Sequence, residues 1–282
     1  MAGRRENRAP LPVLEAAVVT EFQGRLLDWY SANGRDLPWR RTRDPYAVLV
    51  SEIMLQQTQV SRVVPKYHAW LQAYPRLEDL AAAPLDAVLR SWQGLGYNTR
   101  ARRLRDCATA AVRGAAGGAA TLPRTLPELL RLPGLGPYTA RALLVFVSDE
   151  DLAAVDTNVR RVLTHELGLS PDLGVTDLQA LAQEVLPRGR SRDWHNALMD
   201  YGALVLTARV SGVSSRHRQD PFVGSRRWQR SRLLQTVLMG GPQTIADLAM
   251  VMDLSPTVVA ALITLLERDG LLTNGPEGVR IA

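Results

Sequence analysis

The chain is expected to be all-α, with a single short hairpin near its end. Three observations support this. Apolar residues recur at helical spacing along the body, and period-two alternation is almost absent before residue 270. Pro65, Pro75, Pro84, Pro123, Pro127 and Pro133 punctuate the middle of the chain at intervals that suit short helices closing into a helical barrel. The last fifty or so residues change character, becoming apolar helical segments followed by two short strand-like runs. At 282 residues the chain is long enough for one large or two modest domains, each with a core.

The elements follow in order. Residues 1–12, MAGRRENRAPLP, read as a disordered basic tail with no apolar signal core. From about Val13 to Tyr30, the residues Val18, Phe22, Leu26 and Trp29 fall at helical spacing, and Asn33-Gly34 supplies the stop. A second helix is expected from about Pro45 through Val64. On it Ser51, Glu52, Leu55, Gln56 and Gln59 cannot all face a core, so one polar face looks into a cleft or onto a partner. Arg113–Thr121, RGAAGGAAT, reads as a mobile small-residue loop. Residues 173–200 supply further helices, and residues 210–228 read as a polar, basic linker. Helices are then expected at Arg230–Met239, Thr244–Met252 and Ser255–Arg268, with Gly270–Thr273 and Gly278–Ile281 pairing as a hairpin. The order of elements over 229–282 resembles a winged helix. Its would-be recognition helix, starting Pro256-Thr257-Val258-Val259, lacks the Arg, Asn or Gln that base reading needs. A structural or partner-docking role is the expectation for this module.

Composition narrows the classes. The formal net charge is +6 with a pI near 10.0, which favours a polyanionic partner. Lys66 is the only lysine among 34 Lys+Arg residues, so the basic surface is arginine, which grips phosphate with two donors. Arginine stays protonated and cannot form a Schiff base. No apolar run approaches the length of a membrane span, and no membrane partner is expected. The single cysteine, Cys107, excludes an internal disulfide and any cysteine-ligated cluster, and a cytoplasmic location is the default.

Two stretches carry chemistry. Leu132-Pro133-Gly134-Leu135-Gly136-Pro137-Tyr138-Thr139 is a glycine-rich turn entering an apolar helix, whose unpaired N–H groups and positive dipole end suit a phosphate. After an acidic loop at Asp149-Glu150-Asp151 comes Asp156, between apolar Val155 and Val159 and so half-buried near a helix N-terminus. Alone, this stretch reads equally as a helix–turn–helix corner with a capping aspartate. Upstream stand Arg35-Asp36-Leu37-Pro38-Trp39-Arg40, Asp44-Pro45-Tyr46 and Ser51-Glu52-Ile53-Met54-Leu55-Gln56-Gln57-Thr58-Gln59. Downstream are Gly94-Leu95-Gly96-Tyr97, Arg100-Ala101-Arg102 and Asn196-Ala197-Leu198-Met199-Asp200-Tyr201-Gly202-Ala203. Together, from about Val18 to Arg209, these resemble the helix-hairpin-helix (HhH-GPD) DNA glycosylase superfamily, and within it the MutY-type adenine DNA glycosylases.

The resemblance implies a two-lobed fold. The N-terminal helix and 157–209 form one lobe, and about 40–156, with the hairpin at 132–140, form the barrel lobe. It also implies a reaction: hydrolysis of the N-glycosidic bond of adenine mispaired with 8-oxoguanine or guanine in double-stranded DNA. That chemistry needs a proton on the departing base and a negative group beside the oxocarbenium-like sugar. By resemblance Glu52 is the acid and base, Asp156 the stabiliser or transient nucleophile, and Asn158 the group that positions water. Glu52 sits among Ile53, Met54 and Leu55, surroundings that favour a protonated carboxyl. The family's base pocket maps onto Arg35, Leu37, Trp39, Arg40, Leu55, Tyr138 and Asp200, with Thr58 alongside. Gln57 and Tyr97 probe the gap left in the stack. DNA contacts are expected from Gln56, Arg100, Arg102, Leu132, Gly134, Leu135, Gly136 and Thr139. The bland readings are a helix-face salt bridge for Glu52, ordinary core for Trp39, and a solvated face for the Arg100–Arg105 cluster. Tyr138 stands where bifunctional relatives carry a Schiff-base lysine, so efficient strand cleavage is not expected.

Two departures stand out. Most relatives hold an iron–sulphur cluster by four cysteines after the Gly-Ala motif, and those positions fall here on Leu206, Val213, Arg216 and Phe222. No cofactor is therefore expected, apart from a monovalent cation that the hairpin could hold, and Arg216, His217 and Arg218 are placed to replace the cluster loop's DNA contacts. Many relatives also end in a Nudix-like domain that checks for 8-oxoguanine; about fifty residues cannot be that domain. Together with Asn98, where a second tyrosine is common, this points to weaker or different opposite-base selectivity. A monomer associated with a bacterial nucleoid is expected. The rivals are a thymine or uracil mismatch glycosylase of the same superfamily and a non-catalytic DNA-binding protein.

Overall fold

The computed structural model describes residues 12–115, 118–211 and 221–282. Helices make up nearly all of the body: α1 Ala16–Asn33, α2 Pro45–Leu55, α3 Val60–Ala73, α4 Leu77–Ala82, α5 Leu85–Trp92, α6 Thr99–Gly114 and α7 Leu126–Leu129. They continue as α8 Pro137–Ser148, α9 Thr157–Glu166, α10 Val175–Glu184, α11 Ser191–Leu204 and α12 Ala208–Ser211. The last segment holds α13 Arg226–Gly240, α14 Ile245–Met252, α15 Pro256–Arg268, and the strands β1 Leu272–Gly275 and β2 Gly278–Ile281.

Helix boundaries follow local chemistry. Asp44 caps α2 by accepting from the Tyr46 N–H at 3.1 Å, with Pro45 at the first helical position. The single helix expected over 45–64 is two, because the chain breaks after Leu55 and Gln57 adopts a left-handed φ of 55°. Pro65, read as a break, lies inside α3 instead. At the sixth position of α3 it has no N–H to give the ladder, and the helix runs through it. Thr244 and Asp247 form a reciprocal capping box on α14.

The chain divides into two compact units, each built from two separated stretches: residues 1–40 with 137–217, and residues 41–136 with 218–282. In the first, α11 packs on α1, α9 and α8. Its core gathers Phe22, Leu26, Val162, Leu181, Trp194 and Leu198, with Phe22 and Trp194 edge to face at 5.3 Å. In the second, α4 packs on α6, α5 on α6, and α2 on α3. Residues 137–156 thus cluster with the first unit rather than with the barrel lobe expected to hold 40–156, and α8 contacts α11 there. The C-terminal residues do not form a separate cluster: α13 packs on α5, and they group with the second unit. The three helices and the hairpin expected there form, and Gln243 bridges to Val279 at the edge of the β1–β2 pair. Arg216, His217 and Arg218 lie outside the described residues.

Candidate active site

Asp156 is the N-cap of α9. Its Oδ1 accepts the Val159 N–H at 2.7 Å, and its Oδ2 accepts from Asn158 Nδ2 at 3.3 Å. Burial raises its carboxyl above the usual range; the Val159 and Asn158 donors and the nearby Arg161 pull the other way without cancelling it. The helix N-terminus therefore does not dominate, because desolvation is the larger effect. Asn158 in turn accepts from Arg161 Nη1 at 3.0 Å, and the same nitrogen donates to the Gly202 carbonyl at 2.9 Å. Gly202 permits this contact: a Cβ there would lie 2.9 Å from the Asn158 Cβ. Thus the Gly-Ala motif on α11 sets the start of α9.

The loop leading to Asp156 is clamped from α10 and α11. Ala153 N–H donates to Gln183 Oε1 at 2.9 Å, and Gln179 Nε2 donates to the Ala153 carbonyl at 2.7 Å. Ala154 N–H donates to His195 Nε2 at 2.9 Å, while His195 Nδ1 lies 2.7 Å from the Ser191 carbonyl. These partners fix a neutral imidazole with its proton on Nδ1. Burial pushes its pKa down to about 4, so the ring stays neutral at physiological pH. Asp149 and Asp151, expected as a plain acidic loop, accept from the backbone N–H groups of Arg192 and Gly189.

In the other unit, Glu52 lies on α2, 8% exposed, beside buried Ser51, Ile53 and Met54. It is a buried carboxyl rather than a surface glutamate. Leu55, Gln56 and Thr58 are half-buried and Gln57 is exposed. Arg100, expected at a phosphate, is 6% exposed and turned inward. It donates to the carbonyls of Ile53 (2.9 Å), Met54 (3.0 Å) and Gln56 at the end of α2, and to Leu95 (2.9 Å) and Gly96 (3.0 Å). It therefore ties the helix carrying Glu52 to the turn carrying Tyr97. Arg105 donates to the Ala83 carbonyl, and Arg102 pairs with Asp106 at 3.5 Å beside Gly270. Tyr97 is 38% exposed with a left-handed φ of 47°. Left-handed backbone at non-glycine residues such as Gln57 and Tyr97 costs about 1–3 kcal/mol each and gathers at functional sites.

The turn at 132–136 takes the expected form in part. Gly134 has φ 82°, and a Cβ there would lie 2.8 Å from the Arg103 Cβ, so only glycine fits. Gly136 is exposed with open space around it, Leu132 is half-buried and Leu135 is buried. Thr139, expected to touch DNA, is buried inside α8 at 4% exposure, while Tyr138 is half-buried.

The expected base pocket is partly filled by itself. Asp200 is fully buried and accepts from the Arg35 N–H (2.8 Å) and Nε (2.7 Å), and from both terminal nitrogens of Arg40 (2.8 Å each). Burial alone would raise its carboxyl, but Arg40 and Arg35 together hold it below the usual range. Leu37 and Trp39 are each 8% exposed. These residues brace the start of the chain against α11.

Sequence reasoning missed Arg161, Gln179, Gln183 and His195, whose partners are backbone groups or lie far along the chain. For Arg100 a signal was present: Arg100, Ala101, Leu104, Cys107, Ala108 and Ala111 share one helical face, and that face is buried. With a single cysteine, the sequence has no set of thiolates for an iron–sulphur cluster. Leu206 is buried, Phe222 is 51% exposed, Val213 and Arg216 lie outside the described residues, and Cys107 is buried on α6 with its thiol pushed up to about 12. Among the described residues no group of three or more His, Cys, Asp or Glu could hold a metal ion.

The model of the HhH-GPD superfamily of base excision DNA repair proteins matches residues 50–188. A solved thermostable thymine-DNA glycosylase superposes with a TM-score of 0.62 at 30% identity, over 68% of this chain and 89% of that one. The chain belongs to the HhH-GPD superfamily. Its curated relatives include the adenine DNA glycosylase of Homo sapiens, 37% identical over 83% of this chain and 45% of that protein. They also include the adenine DNA glycosylase of Mycolicibacterium smegmatis, 44% identical over 65% of this chain and 63% of that protein. The chain spans about two-fifths to just under two thirds of the length of such relatives.

Proposed function

We propose that this protein is a monofunctional adenine DNA glycosylase, removing adenine mispaired with 8-oxoguanine or guanine from double-stranded DNA without an iron–sulphur cluster. The observation that carries the reading is the buried carboxyl of Glu52 on α2, together with a second carboxyl, Asp156, at the cap of α9. Glu52 protonates the departing adenine, the C1′–N9 bond breaks with its electron pair leaving on the base, and ionised Asp156 stabilises the positive sugar. Water then adds at C1′ and gives its proton to Glu52. Asn158, fixed by Asp156 and Arg161, orients that water. Tyr138 cannot form an imine, and Lys66 lies on α3, so strand cleavage is not part of the reaction.

Single-turnover incubation with duplexes containing A:8-oxoG, A:G, T:G and U:G, followed by alkali, tests this. Adenine release is expected, with no strand break before alkali, and Glu52→Gln should slow it by about 10²–10⁴-fold. The likeness to a thymine-DNA glycosylase favours a second reading, a T:G or U:G mismatch glycosylase. Release of thymine or uracil in place of adenine would establish that reading instead.

A further inference from the structure

We propose that the C-terminal module is part of the DNA-probing apparatus, with Arg227 as a positioning residue for Tyr97. The inference rests on the glycosylase reading above and adds a part that the sequence did not suggest. Arg227 is the second residue of α13, and its Nη1 donates to the Tyr97 hydroxyl at 2.8 Å, across 130 residues of sequence. Tyr97 is an exposed aromatic on left-handed backbone, and the Arg100 guanidinium carbon lies 5.6 Å from its ring centroid. One cation thus lies against the ring and a second fixes its hydroxyl, so the side chain is oriented before any ligand arrives. An exposed aromatic face is what stacks on an unpaired base. Fixing it beforehand removes an ordering cost from binding.

The module is well attached for this purpose. α13 packs on α5, and Gly270 sits so close to Arg102 that a Cβ there would lie 2.6 Å from its Nη1. Arg102, expected at DNA, thus also lies against the module at Gly270. The module's approach to DNA is by α13, with its run Arg226-Arg227-Trp228-Gln229-Arg230, and not by α15, whose start is polar and apolar but uncharged.

The test uses the full chain with Tyr97→Phe, Arg227→Ala, Arg227→Lys and the double variant Tyr97→Phe/Arg227→Ala. Anisotropy gives binding to a mismatch duplex at two salt concentrations, and 2-aminopurine beside the target adenine reports opening of the stack in the bound state. If Arg227 acts through the Tyr97 hydroxyl, each single loss reduces the 2-aminopurine signal and the single-turnover rate by about three- to tenfold. The double variant is then no worse than either, Arg227→Lys recovers part of the loss, and melting temperatures are unchanged. Two results would overturn the proposal and make Arg227 a phosphate contact. One is a pair of effects that multiply in the double variant. The other is an Arg227→Ala loss that persists in the Tyr97→Phe background and lowers the salt slope by about one. The fluorescence cycle is read without turnover. A wild-type protein that releases no adenine would therefore count against the proposed function, while the cycle still decides the role of Arg227.

Discussion

Asp156 has two tasks that pull in opposite directions. As the cap of α9 it accepts backbone and side-chain donors, yet desolvation leaves its carboxyl raised above the value of 3.8 for a free aspartate. A carboxyl raised on folding contributes stability at low pH, which is lost as pH rises through the folded value. The ionised group is therefore a burden on the fold at neutral pH. Asp156→Asn keeps a capping oxygen and removes the charge. The melting temperature of this variant at pH 7 is expected to rise, the gain shrinking toward pH 4, while adenine release falls by about 10²–10³-fold. Thermal melts at both pH values beside single-turnover assays check this; a lower melting temperature at pH 7 would show that the cap bonds need the charge. The position of Asp156 was legible from its apolar neighbours. Its surroundings were not, because Arg161 answers to the carbonyl of Gly202, 41 residues away, and a carbonyl has no signature in sequence.

At the scale of elements, α11 does most of the organising. From one helix come Asp200, which locks Arg35 and Arg40, Gly202, which admits Asn158, and His195, which holds the loop before Asp156. The imidazole accepts a backbone N–H, so protonating it would set two donors against each other. Its value falls from 6.5 to about 4 on folding, so its contribution is present above about pH 6.5 and is lost as pH falls toward 4. Chemical denaturation at pH 7, 5.5 and 4.5 should show wild-type stability falling by up to about 1.4 kcal/mol per pH unit more than that of His195→Gln. Parallel profiles would sink the idea. The helix itself was readable, but its inward polar residues read as family motif, not as scaffolding. The break between α2 and α3 was missed for a different reason. LQQTQ contains neither glycine nor proline, and a left-handed glutamine is set by tertiary contacts such as those of Arg100.

At the scale of the whole molecule, the all-α class, the C-terminal helices and the hairpin were legible from periodicity and breakers. The allocation of segments to units was not, since it depends on contacts between distant stretches such as α5 with α13. Grouping the C-terminal residues with the second unit gives them a structural role. A chain ending at Ser211 exposes the α5 face that α13 covers and loses the buried Leu233, Leu234, Val237 and Leu238. Its melting temperature is expected to drop by roughly 5 °C or more, with new binding of a hydrophobic dye; an unchanged melt would mean that the C-terminal residues are a passive appendage.

The discontinuous first unit also has a consequence for biosynthesis. Helix α1 leaves the ribosome early, yet its packing partner α11 is about 170 residues behind, roughly 10–30 s at ordinary rates of elongation. During that interval Phe22, Leu26 and Leu27 have no core to enter. Residues 41–136 emerge meanwhile and can pair α4 and α5 with α6 and α2 with α3, although α5 still awaits α13, so the nascent chain carries a helix in waiting, the kind of segment that ribosome-bound chaperones shield.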